Sequence, residues 1–295
     1  MARTATAEEA VRAVVASALE ADPALTVIRE TPAEGLPPDR VTVVPIADRA
    51  AVGLGLGVAL AGQRALVELS GAERLPAVLE VLAEAGALAA GDEFAVPLVV
   101  RVPYGGPLLE PRTPGASAAA LTATVPGVWV VCPSTPALAA GLASWALQAR
   151  RPVVILEPAA LAEARGEVDP EAVPGREGPR AGLVRRGTHA TVAAWGAGVA
   201  AAVQAAEALS QEGIDVDVID LVSLAPIDRV TLGQRVRATG RLVVAHPEDP
   251  WIAARVREVA LEEAFLYLEA PLADATVPRG GGEPIAAAVR RAVHY

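Results

Sequence analysis

Residues 43–57 read VVPIADRAAVGLGLG: an apolar run, a turn carrying Asp48 beside Arg49, then glycine at 53, 55 and 57. The stretch reads as a dinucleotide loop, as an acid that activates a bound group, or as the tight entry to a packed helix. A dinucleotide fingerprint needs G-x-G-x-x-G between strand and helix, so that the backbone can approach a pyrophosphate. Here Gly53, Gly55 and Gly57 are followed by Gly62, and the pattern is not met. The ribose-binding acid expected about twenty residues on, at the end of a second strand, is missing too; Glu68 falls inside its own strand. Alternating glycines instead strip side chains from a helix and let it pack tightly on a neighbour. That leaves Asp48 two uses: capping the helix, where an acid is favoured, or touching a ligand.

The other reactive residue types are sparse. Cys132 is the single cysteine and lies in the apolar run VWVVCPS, which reads as a buried structural thiol rather than a nucleophile. His189, His246 and His294 are far apart and make no H-x-x-x-H pair. The chain has no lysine, which excludes Schiff-base chemistry and the usual pyridoxal phosphate attachment. AWGAGV (194–199) is a strand running into a turn, a plain connection or a cradle for an anion at the next helix.

These residues sit in an alternating series of elements. Thr6 followed by Glu9 has capping-box spacing, and Val11, Val14, Val15, Ala18 and Leu19 form one apolar stripe, so the first helix begins there. LTVIRE (25–30) and VTVVPI (41–46) read as strands around the loop TPAEGLPPD. A small-residue helix over 49–62, a strand at 65–69, a helix at 75–90 and a strand at 97–104 follow. Residues 105–115 read as a polar loop. WVVCPS (129–134) is a strand, Ser134 an N-cap for the helix from Pro136, and PVVILEP (152–158) closes the first half. Strands alternating with helices imply a mostly parallel sheet covered on both faces.

Residues 159–188, with Pro170, Pro174, Gly175, Gly178, Pro179 and several charges, read as a linker. A second alternating run follows: strands at 190–195, 216–224, 241–246 and near 270–276, helices at 199–212, 228–237, from Pro250 to Glu263, and at the C-terminus. The expected fold is therefore α/β in two domains, 1–158 and 189–295.

At 295 residues the chain is long enough for two cores. A net charge of −10 argues against nucleic acid or an anionic membrane as partner. One cysteine permits no internal disulfide, the N-terminal MARTATAEEAVRAVV lacks a signal-peptide layout, and apolar runs are broken before membrane-spanning length. A soluble, cytoplasmic chain is expected.

PIADRAAVGLGLGVALAGQRALVEL (45–69) resembles the beta subunit of the thiamine-diphosphate-dependent decarboxylase of 2-oxo acid dehydrogenase complexes, where the stretch begins P-I-A-E. PLVVRVPYGG (97–106), PGVWVVCPSTP (126–136), RRPVVILEP (150–158), VIDLVSLAPID (218–228), TGRLVVAHPEDP (239–250) and EEAFLYLEAPL (262–272) carry the likeness along nearly the whole chain in order. The resemblance implies a transketolase-like pyrimidine-binding domain followed by a smaller transketolase C-terminal-like domain. It implies an α2β2 heterotetramer in which an alpha subunit holds the diphosphate and magnesium, so this chain needs no metal motif. In the family the glutamate of P-I-A-E bonds the pyrimidine ring and favours its imino tautomer, which deprotonates the thiazolium carbon. Asp48 holds that position, with a side chain about 1.5 Å shorter, and misplacement by about an ångström can cost on the order of a hundredfold in rate.

By the same resemblance Ser70 stands where the family's E-I-Q-F-A-D-(F/Y) has the aromatic that packs on the pyrimidine, and Tyr104 is a further cofactor contact. The family's histidine loop, G-H-H-H-S-Q-S, falls on residues 111–117, where Arg112 is left as the candidate for a substrate carboxylate. Leu138 replaces the acid of a structural monovalent-cation site found in some members. The implied function is oxidative decarboxylation of a 2-oxo acid with acyl transfer to lipoyl, in concert with an alpha subunit and a lipoyl acyltransferase core. Two alternatives stay open: a catalytically degenerate homologue kept for assembly, and half of a split transketolase-like transferase.

Overall fold

The computed structural model describes residues 3–32, 35–44, 47–91, 94–104, 118–168, 178–246, 250–277 and 281–295. They divide into two compact units, Met1–Pro179 and Arg180–Tyr295.

The first unit runs β1 (Arg3–Thr6), α1 (Ala7–Ala21), β2 (Leu25–Arg29), β3 (Val41–Val43), α2 (Asp48–Leu60), β4 (Arg64–Glu68), α3 (Leu75–Ala90), β5 (Leu98–Tyr104), α4 (Ala118–Ala123), β6 (Trp129–Val131), α5 (Pro136–Gln148), β7 (Val153–Pro158) and β8 (Arg165–Val168). Its main sheet has the order β6-β7-β5-β4-β2-β3, and every pairing in that run is parallel. Strands buried on both faces explain the runs VVIL and LVV, in which neither side of the pleat is polar. Val153, Val154, Ile155, Leu156, Val99, Val100, Leu66 and Val67 are all buried.

The capping box at the start of α1 forms as expected: Glu9 N donates to Thr6 Oγ1 at 3.2 Å and Thr6 N donates to the Glu9 carboxylate at 2.9 Å. Helix α5 is capped by Thr135, whose Oγ1 accepts from Leu138 N at 3.1 Å, and not by Ser134. The expected packing role of the α2 glycines holds at one of three positions. A Cβ on Gly55 would lie 2.7 Å from Val67 Cγ2 and 2.9 Å from Leu98 Cδ1, so only glycine lets α2 settle on β4 and β5. A Cβ on Gly53 or Gly57 would meet nothing within 4 Å.

The second unit runs β9 (Gly182–Arg185), β10 (Ala190–Ala194), α6 (Gly198–Ser210), β11 (Val216–Asp220), β12 (Ser223–Ala225), α7 (Arg229–Thr239), β13 (Leu242–His246), α8 (Pro250–Ala264), β14 (Ala273–Thr276) and α9 (Glu283–Val293). Its sheet order is β14-β13-β10-β11-β9, parallel except where β9 lies antiparallel on β11. Val192, Val218 and Val243 from the strands and Leu209, Ile285 and Val289 from the helices share one core.

Residues 159–188, expected as a linker, carry folded chain at both ends. Strand β8 pairs antiparallel with β1, Arg3 opposite Val168, and β9 joins the second sheet. The physical reason is that each strand finds a partner edge far away in sequence, which local proline and glycine content does not reveal. Among the described residues no helix is long and apolar enough to cross a membrane.

Candidate functional site

In open parallel sheets, ligands bind outside the carboxyl ends of the strands, where the strand order reverses. In the first unit the chain goes from β2 outward to β3, then returns across β2 to β4. Glu30 follows β2, Asp48 opens α2 just after β3, and Ser70 and Arg74 follow β4, so all lie at this reversal.

Asp48 is the first residue of α2, but its side chain does not cap the helix: the N-cap is Ala47, and no side-chain cap bond is made. The carboxylate instead accepts from Arg74 Nη1, at 3.0 Å to Oδ2 and 3.2 Å to Oδ1. The same nitrogen donates to Glu30 Oε1 at 3.0 Å, and Glu73 lies 4.0 Å from Arg74 Nε. Three carboxylates thus surround one guanidinium. The side chains of Asp48 and Glu30 are only 15% and 20% exposed, so water screens the group poorly. Donating a hydrogen bond to Asp48 raises the pKa of Arg74, with the charges of Asp48, Glu30 and Glu73 adding to it and outweighing burial, which lowers it.

Beside this cluster a second charge network crosses the strand ends. Arg101 on β5 donates Nε and Nη2 to Glu157 of β7 at 2.8 and 2.9 Å, a two-pronged contact. It also bonds Glu68 of β4, whose other oxygen lies 3.2 Å from Arg29 Nη1 of β2. Burial, the largest influence on Arg101, lowers its pKa; the charges of Glu157 and Glu68 reverse the sign, so it stands raised. The parallel register that sets Glu68 opposite Arg101 builds this network. Sequence reasoning missed Glu30, Arg74 and the network. A signal existed, since LVE, VVRVP and ILEP each carry one of its charges inside an otherwise apolar strand.

Ser70 and Tyr104, also expected at the site, lie at the ends of the neighbouring strands β4 and β5. Tyr104 is the last residue of β5, opposite Pro158 of β7. Ser70 is exposed just beyond β4. Counting E-I-Q-F-A-D-(F/Y) from Glu68 puts the first aromatic at Gly71 and the second at Arg74, so Ser70 falls one position early. A Cβ on Gly71 would lie 2.2 Å from Glu73 Oε2, so a larger residue there requires that carboxylate to move. Arg112 lies outside the described residues. Cys132 is fully buried. In the second unit His246 stacks on Trp195 with ring centroids 6.4 Å apart, and Val222 has a φ of 57°, unusual for a β-branched residue.

An open parallel sheet with a charged carboxyl edge, followed by a smaller five-stranded α/β unit, matches the two domains of the transketolase-like class. Residues 2–163 match the pyrimidine-binding domain of transketolase and residues 180–294 its C-terminal domain. The chain is 34% identical over 90% of its length to the pyruvate dehydrogenase E1 component subunit beta of Leifsonia xyli subsp. xyli, covering 83% of that protein. It is 32% identical over 79% of its length to the 2-oxoisovalerate dehydrogenase subunit beta of Bacillus subtilis, covering 73% of it. It therefore belongs to the family of 2-oxo acid dehydrogenase E1 beta subunits. A solved split-gene transketolase, described as an inactive beta4 tetramer, superposes with a TM-score of 0.80 over 98% of both chains at 20% identity, a likeness of fold.

Proposed function

We propose that the chain is the beta-type half of a two-chain, thiamine-diphosphate-dependent 2-oxo acid dehydrogenase, in which the carboxyl edge of the first sheet is the wall facing the pyrimidine. An alpha-type subunit completes the site in an α2β2 assembly and supplies the diphosphate and magnesium side; the acyl product passes to lipoyl on an acyltransferase core. Along the chain, the boundary between the pyrimidine-binding and C-terminal domains falls near residues 179 and 180, and the assembly works in the cytoplasm. What carries this reading is relatedness over nine-tenths of the chain to a pyruvate dehydrogenase E1 beta subunit, together with an acid at the strand-order reversal.

As the side chains stand, Asp48 does not fit the pyrimidine ring nitrogen. A carboxylate offers only acceptors, and these already receive Arg74 at 3.0 and 3.2 Å. No aromatic side chain stands at 70, 71 or 74 to pack on a ring. These two observations favour a second reading, an assembly subunit that stabilises its partner without activating the cofactor.

Co-expression with an alpha-type subunit separates the two. A 2:2 complex that reduces an artificial electron acceptor in the presence of pyruvate or a branched-chain 2-oxo acid supports the first reading. A stable complex with no such turnover supports the second. Failure to form any complex contradicts both.

A further inference from the structure

We propose that Arg74 is a positioning residue that locks Asp48 away from the cofactor, so that the state of this one ion pair decides whether the subunit can engage a pyrimidine ring. The proposal rests on the beta-subunit reading above. Arg74 Nη1 bridges Asp48 and Glu30 at nearly equal distances. The cation can therefore give up Asp48 and keep Glu30, with Glu73 close by. Releasing Asp48 leaves no bare guanidinium at the edge, which would otherwise make release costly.

The groups that face this pair are all at hand. Glu30 comes from the end of β2, Glu73 from the turn after β4, and Asp48 from α2. Arg49, next to Asp48, turns outward to Glu80 of α3 at 2.6 Å, so it offers no substitute for Arg74. Arg29 and Arg101 are engaged by Glu68 and Glu157. Without Arg74, the carboxylates of Asp48, Glu30 and Glu73 are left clustered with no ion pair of their own among the described residues. Like charges held this close raise the affinity for a proton, so one carboxyl becomes the neutral donor that a ring nitrogen requires.

The sign of the pH dependence follows. A carboxyl whose proton affinity is raised by folding contributes stability at low pH and loses it as pH rises. In the free chain, Arg74→Met should therefore lower Tm more at pH 8 than at pH 5, while Arg74→Lys keeps the wild-type profile. An Arg74→Met profile parallel to wild type overturns the cluster.

The second arm is calorimetric titration of the alpha–beta complex with thiamine diphosphate and magnesium. Arg74→Met should tighten binding by about tenfold, the equivalent of one pKa unit, and Arg74→Lys should not. Asp48→Ala should abolish the gain in Arg74→Met. Should Arg74→Met fail to fold, Glu30→Gln removes the competing acceptor and should weaken binding. Cofactor binding that is tight but indifferent to Arg74→Met and Glu30→Gln overturns the lock and leaves the beta-subunit reading standing. A complex in which no variant binds cofactor better than alpha alone overturns both.

Discussion

Arg101 keeps a side chain 13% exposed between Glu68 and Glu157, and its raised pKa keeps the guanidinium charged. Removing it leaves two part-buried carboxylates without their shared cation. Arg101→Leu should cost about 3 kcal/mol, read from denaturant unfolding. The loss should shrink as pH falls into the carboxylate range, because protonation relieves the stranded acids. A cost that is the same at pH 5 and pH 8 would show that the ladder is not electrostatic. None of these partners is adjacent in sequence: the pairing of Glu68 with Arg101 needs the parallel register, and the contact of Asp48 with Arg74 spans 26 positions. Asp48 itself was legible from its place in a motif; its partner was not.

At the scale of elements, signals confined to one helix were readable and long-range ones were not. Thr6 and Glu9 announced α1, and the apolar spacing of α3 returned its limits, 75–90. The strands β1 and β8 were missed because four residues each, paired across the length of the unit, leave no local pattern. The glycines of α2 divide by what they touch. Gly55→Ala should destabilise the free chain by about 1–3 kcal/mol through contact with Val67 and Leu98. Gly53→Ala and Gly57→Ala should each add about 0.5–1 kcal/mol, since they meet nothing and gain helix propensity. Equal effects at all three positions, measured as Tm shifts, would contradict the placement of α2.

Helix α7 offers a test of the second unit. Asp228 accepts from Thr231 N at 3.0 Å, Thr231 Oγ1 at 2.7 Å and Ala181 N at 3.1 Å. Burial, the largest single influence, raises its pKa, but these bonds and Arg180 outweigh it and leave it lowered. A lowered folded-state value means stability that is present above the ordinary aspartate range and lost as pH falls through it. Asp228→Ala should cost about 1 kcal/mol at pH 7, and the difference from wild type should fade in acid. Persistence of the full difference at pH 2 would contradict this cap.

At the scale of the molecule, two units with separate cores follow the two halves of a transketolase-like chain. The alternation of strand and helix was legible along the parallel core of each unit, because period and turn chemistry repeat locally. The meaning of the carboxyl edge was not, since it arises only where strand ends from distant segments meet. Sequence relatedness covers 90% of the chain, and the chemistry it takes part in depends on what that edge faces. Hydrogen–deuterium exchange on the alpha–beta complex, with and without thiamine diphosphate and magnesium, tests this directly. Cofactor should protect amides at the start of α2 and in the turn after β4, around residues 47–52 and 69–75, while the exposed end of α8 stays unchanged. Protection absent from both edge segments would contradict the assignment of this edge as the cofactor-facing wall.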